Sequence, residues 1–139
     1  QGIDIYVALP EGVYLYETVP NHLSPILARD IRPMTNRRPQ AGTAPAVLIY
    51  VADTDIEVQL PPGAEPPKGH PPGEPLTVAV FPCFGEVEAG FIGQNVYLFC
   101  ASEGLAAWFF ATDRESLAKA MNLRSTQKVL YCQAVGYPA

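Results

Sequence analysis

The segment Glu88–Leu105, EAGFIGQNVYLFCASEGL, sets the tightest limit on what this chain can fold into. Phe91, Ile92, Val96, Tyr97, Leu98, Phe99 and Cys100 leave it apolar on nearly every side. A helix of that character belongs inside a core or an interface, because exposure would leave a large apolar patch. The pattern predicts a long helix from about Glu86 to Glu103, with Gly104 as its left-handed terminator and Leu105 as the hydrophobic residue beyond. Gln94 and Asn95 interrupt it where a structural helix prefers Leu or Ala. A helix like this calls for a twofold mate or a companion segment.

The remaining composition narrows the function classes. With 139 residues and 48% apolar content the chain makes one domain with a modest core. A net charge of −5 and the lack of a basic stripe argue against nucleic acid as a partner. No run reaches the roughly eighteen apolar residues a membrane helix needs. Cys83, Cys100 and Cys132 are too few and too scattered for a disulfide framework or a zinc site, and Cys100 and Cys132 read as buried thiols in apolar runs. The chain opens on Gln1, so a segment upstream is expected to have been removed or omitted. Compartment stays open: free thiols lean toward a reducing cytoplasm, and a processed start is compatible with export.

Ile3, Ile5, Val7 and Leu9 alternate with Asp4, Tyr6 and Ala8, a period-two strand. Pro10-Glu11-Gly12 then turns into Val13–Thr18, completing a hairpin. Ser24 before Pro25 reads as the start of a short helix, stopped by Pro33. Ala46–Ala52 is a continuous apolar run, expected as a central strand buried on both faces. Residues 61–75, PPGAEPPKGHPPGEP, hold seven of fifteen prolines, which excludes helix and central strand. An extended, solvated surface loop of polyproline character is expected, ahead of a ligand for a proline-recognition module. Ala106–Ala111 reads as a short apolar strand, and Thr112-Asp113-Arg114-Glu115 as a capping box with Thr112 as the cap. The helix behind it ends near Asn122, and Lys128–Gly136 is the last strand. The fold class is α+β: a mixed, mainly antiparallel sheet flanked by helices.

Chemistry-bearing residues are sparse. Arg29, Arg32, Arg37 and Arg38 could clamp a phosphate, but a solvated loop with Asp30 as partial counter-charge is the simpler reading. His22 and His70 are read as exposed, without a carboxylate or cysteine partner. Asp53 and Asp55 lack the further oxygens a metal needs, so no metal site is expected. No catalytic residue is assigned, and no phosphate loop or nucleophile elbow occurs.

Four segments resemble the second half of nitroreductase-family proteins, in particular the branch related to thiazoline and oxazoline oxidases. They are IDIYVALPEGVYLYE, APAVLIYVAD, AGFIGQNVYLFCASEGL and DRESLAKAMNLRSTQKVLYCQAVGYP, in the family's order. The resemblance implies that residues 1–139 are the C-terminal part of a single nitroreductase-like domain. It implies a homodimeric flavoprotein, binding FMN at the subunit interface and passing hydride from NAD(P)H to a nitro compound, quinone or similar small acceptor. It places Ala107, Trp108, Phe109, Phe110 and Ala111 beside the flavin's N5 edge. Gln94 and Asn95 match the family's Gln-Asn pair, bonding across the interface or to backbone near the flavin. An amide pair tying helix to sheet is the alternative.

Two departures are visible. The family's arginine-bearing helix start, from its N-terminal half, has no counterpart, so that half is expected on a separate segment or absent from this product. The stretch Trp108–Ala111 is one residue shorter than in relatives, with Ala111 at a glycine position. A β-carbon there crowds a planar ring, or Trp108 and Phe109 fill the slot themselves. These features keep a second expectation open, a flavin-less nitroreductase-like module acting as a structural or interaction subunit.

Overall fold

The computed structural model describes residues 2–139 apart from 58, 59, 75, 80 and 81; for 55–57, 77–79, 82 and 83 it describes backbone alone. In chain order the elements are β1 (Ile3–Leu9), β2 (Gly12–Glu17), β3 (His22–Leu27), α1 (Arg32–Thr35), α2 (Pro39–Thr43), β4 (Ala46–Asp53), β5 (Asp55–Glu57), β6 (Thr77–Ala79), α3 (Pro82–Ser102), β7 (Ala106–Phe110), α4 (Arg114–Ala120) and β8 (Gln127–Gly136). Six strands form one sheet in the order β3-β2-β1-β4-β8-β7, every neighbouring pair antiparallel. β5 and β6 make a separate two-stranded ribbon. The expected α+β class, with helices flanking a mainly antiparallel sheet, is what the chain adopts.

β4 is central, as its unbroken apolar run predicts. Val47, Ile49 and Val51 face one side, and Tyr50 and Ala52 the other, all buried. Its register with β8 shifts between Tyr50 and Val51, where Tyr50 faces Tyr131 and Val51 faces Val129. Leu130 is the extra residue of this bulge, so Leu130 and Tyr131 both pack on the side of α3. On the opposite face Ile31, Ala41, Leu117 and Met121, from the α1–α2 and α4 regions, cover Tyr6, Ile49, Cys132 and Ala134.

Ser24-Pro25 begins no helix; it lies in β3, an edge strand. Proline lacks an N–H, and the outer side of an edge strand asks for none. The Ser24 hydroxyl donates to the Glu17 carboxylate across the β2–β3 pair instead of capping a helix. Prolines do open the two short helices further on, at Pro33 and Pro39. The cap of α4 is Asp113, whose Oδ1 accepts from the Ser116 N–H at 3.1 Å, rather than Thr112. Thr112 is diverted by tertiary structure: its hydroxyl donates to the Thr35 carbonyl at 2.6 Å.

The proline-rich tract is folded back rather than extended. Ala64 N–H donates to Pro61 O, His70 N–H to Pro67 O and Glu74 N–H to Pro71 O. Gly63, Gly69 and Gly73 supply the positive φ (85°, 92° and 83°) that each turn needs at its third position. Residues 61–74 are exposed except for half-buried His70.

α3 ends as its sequence predicts: Gly104 is left-handed at φ 68°, and the Leu105 N–H donates to the Cys100 carbonyl at 2.8 Å. Gly85, Ala89, Gly93 and Cys100 are buried, a stripe at helical spacing that lets α3 lie close to the sheet. Phe84, Val87, Phe91, Leu98 and Phe99 are more than half exposed. The all-round greasiness thus resolves into one side packed on the sheet and one apolar side that the described residues leave largely exposed.

Candidate functional site at the aromatic edge strand

Among the described residues β7 pairs with β8 alone, at the end of the sheet. Its side chains alternate across the sheet. Phe109 lies toward α3, its ring 5.7 Å from Tyr50 and 5.0 Å from Tyr131. Its N–H donates to the Tyr97 hydroxyl of α3 at 2.7 Å. Gly93 lies directly below; a β-carbon there would come within 2.7 Å of the ring. A buried amide locks this contact. Gln133 accepts from the Tyr50 hydroxyl at 2.6 Å and donates to the Gly93 carbonyl at 3.1 Å. Burial holds the Tyr50 hydroxyl protonated far above the ordinary phenol range.

Trp108 and Phe110 occupy the opposite face, their ring centroids 4.6 Å apart. The Arg38 guanidinium lies 5.7 Å above the Trp108 ring. Phe110 is buried, Ala107 and Trp108 half-buried, and Ala111 exposed. The Ala111 carbonyl accepts from Asn36 Nδ2 at 3.4 Å. That bond and the Thr112–Thr35 bond tether the turn after β7 to α1. A groove of ≈ 730 Å³ opens there, lined by Asn36, Arg37, Arg38, Ala111, Thr112 and Asp113.

The structure brings Ala107–Phe110 together along one strand, with Ala111 just beyond its end, but directs Gln94 and Asn95 outward from α3, both exposed. The amide that ties helix to sheet is Gln133 instead. Its signal was a lone amide inside the apolar run KVLYCQAV, a pattern that marks a buried, satisfied side chain.

The arginines separate by role. Arg32 donates Nε and Nη2 to the two Asp30 carboxylate oxygens at 2.9 and 2.8 Å, and Nη1 to the Ala44 carbonyl at 2.6 Å. It is structural, and its hydrogen bonds hold the Asp30 carboxyl below the usual range. Arg37 and Arg38 form no ion pair among the described residues. His22 does have a carboxylate neighbour: Nε2 lies 3.8 Å from Glu17 Oε1 and 3.0 Å from Ser24 Oγ. Glu17 and His22 are direct cross-strand partners, a proximity set by register and hidden from sequence spacing. Asp53 pairs with Arg124 at 2.6 Å. Cys100 and Cys132 are buried, and burial pushes the Cys132 thiol up to about 12. Cys83's side chain lies outside the described residues. Among the described residues no cluster of metal-ligating side chains occurs, and no helix is long and apolar enough to cross a membrane.

A six-stranded antiparallel sheet carrying one long helix on one face, short helices on the other and an aromatic edge strand defines a nitroreductase-like α+β protein. The solved structures it resembles bear out the likeness to the nitroreductase family. A protein from Ralstonia eutropha JMP134, assigned as a nitroreductase, superposes with TM-score 0.77 and 31% identity, over 100% of this chain and 59% of its own. The E. coli microcin synthetase McbBCD complex with truncated pro-MccB17 bound matches at TM-score 0.68 and 17% identity, over 99% and 52%. A protein from Anabaena variabilis ATCC 29413, also assigned as a nitroreductase, matches at 0.69 and 14%, over 99% and 27%. The last two share the fold. The chain spans less than two thirds of each of these neighbours. No family model and no curated protein matches it.

Proposed function

We propose that this chain is the C-terminal part of an FMN-dependent oxidoreductase of the nitroreductase type, moving hydride from NAD(P)H to a nitro, quinone or similar acceptor. The observation that carries the reading is the match, at 31% identity over 100% of this chain and 59% of the other, to a protein assigned as a nitroreductase. The local chemistry fits the group. Arg37 and Arg38, free of ion pairs among the described residues, border the groove beside exposed Ala111. Trp108 adds an aromatic face beneath Arg38. In this reading Ala107–Ala111 present backbone and ring edges to the cofactor, and Arg37 and Arg38 meet its anionic end. When bound, FMN supplies the hydride-transfer chemistry, and the chain supplies orientation and charge.

The exposed apolar face of α3 is, in the same reading, the surface that meets a second subunit or a companion segment, with Gln94 and Asn95 bonding across it. The expected result is a yellow full-length protein with about one FMN per subunit. Colourless protein of correct intact mass that takes up no FMN on titration would refute the assignment.

A second reading keeps the fold without the flavin. It is favoured by Ala111 at the glycine position and by the shared fold of the E. coli microcin synthetase McbBCD complex. There the chain is a module of an assembly, close to the thiazoline- and oxazoline-oxidase branch. Stoichiometric flavin would dismiss it.

A further inference from the structure

We propose that a second cleft, between α4, the first turns of α3 and the leading half of β8, binds a small organic carboxylate with an apolar body. β7 stops opposite Cys132, so residues 127–131 of β8 have no strand beyond them on that side among the described residues. α4 stands there instead, and a cavity of ≈ 550 Å³ opens in between. That volume lies within the range of small-molecule sites, about 300–1,000 Å³. Its apolar lining comes from Leu123 and Val129 on the α4 side of the sheet and Leu130 on the α3 side, with two alanines.

The rim decides the ligand's charge. Four of the chain's nine Lys and Arg residues line it, Arg114, Lys119, Arg124 and Lys128, although the whole chain is acidic. Two are already engaged: Arg114 with Glu86 at 3.1 Å, its guanidinium 5.2 Å over the Tyr131 ring, and Arg124 with Asp53 at 2.6 Å. Each carboxylate fixes its arginine's direction. Lys119 and Lys128 form no ion pair among the described residues. Glu115 is a further acid among the described residues of the rim. Asp4, set against Asp53, Arg124 and Gln127, adds a further carboxylate at the Arg124 end, so the pull on an anion comes from Lys119 and Lys128 rather than from a net positive charge. The apolar lining and the two lysines together select a carboxylate attached to a ring or branched chain. The site stands on its own residues and does not depend on flavin at β7.

The test is calorimetric titration of the full-length protein with 4-phenylbutyrate, beside 4-phenyl-1-butanol and acetate. The expected result is saturable binding of the first, with the alcohol and acetate each weaker by about tenfold or more. Lys119→Gln/Lys128→Gln, at two exposed positions, should weaken 4-phenylbutyrate binding about five- to thirtyfold and leave the melting temperature unchanged. Equal binding of the alcohol, unchanged affinity in the double variant, or no binding at millimolar probe would overturn the proposal. The last outcome includes a cleft filled by another part of the full-length protein.

Discussion

Adding one methyl group at two glycines of the same helix should have opposite effects. In Gly93→Ala the new β-carbon would sit 2.7 and 2.8 Å from Cδ2 and Cε2 of Phe109. That ring has no easy retreat, because Tyr50 and Tyr131 flank it and its own N–H is held by Tyr97. Overpacking of this kind costs about 1–3 kcal/mol. The gain in helix propensity from Gly to Ala returns at most about 1 kcal/mol. Net destabilisation of about 1–2 kcal/mol is expected, a fall in Tm of very roughly 3–10 °C for a domain of this size. At Gly90 a β-carbon meets nothing within 4 Å among the described residues, so Gly90→Ala keeps the propensity gain and should stabilise by up to about 1 kcal/mol. The assay is urea and thermal unfolding of both variants in the full-length protein, with Gly93→Ala/Phe109→Leu to relieve the clash. Were Gly93→Ala as stable as Gly90→Ala, the close seat of α3 on β7 would be wrong.

Gln133→Leu strands the Tyr50 hydroxyl in the core and should destabilise by about 1–3 kcal/mol, with part of the loss recovered in Tyr50→Phe/Gln133→Leu by urea unfolding. The Asp30 carboxyl is held below its unfolded value by Arg32, so its contribution is present above about pH 4 and fades as pH falls through the lowered folded value. Asp30→Asn should therefore be less stable than the parent at neutral pH, and the two unfolding curves should converge on acidification. Cys100 and Cys132 should resist a thiol reagent at pH 8 in folded Cys83→Ser protein and react at once in denaturant, as measured by absorbance.

Local chemistry made much of this fold legible. The Pro10–Gly12 turn, the apolar run of β4, and the Gly104 stop of α3 are each dictated within a few residues, and each forms where its sequence predicts. What misled was chemistry with two outlets. Ser24-Pro25 suits a helix start and an edge strand equally, and pairing with β2 decides it. Thr112 and Asp113 can both cap α4, and Thr35, 77 residues earlier in the chain, claims the first. The strand at Ala106–Phe110 was readable from its aromatics, but the Tyr50–Gln133–Gly93 chain beneath it was not. Its members come from three distant elements, and only the register of β4, β8 and α3 joins them.

The three successive proline-glycine turns sit on a two-stranded stem, with Asp55 opposite Ala79 and Glu57 opposite Thr77. A stem of that kind insulates the six-stranded sheet from whatever it carries. Since doubling a closed loop adds only about 0.6 kcal/mol of entropy, further Pro-Pro-Gly units can be added or removed almost without penalty to the body. The exposed turns are a natural insertion point for a tag, a fluorophore or a grafted peptide.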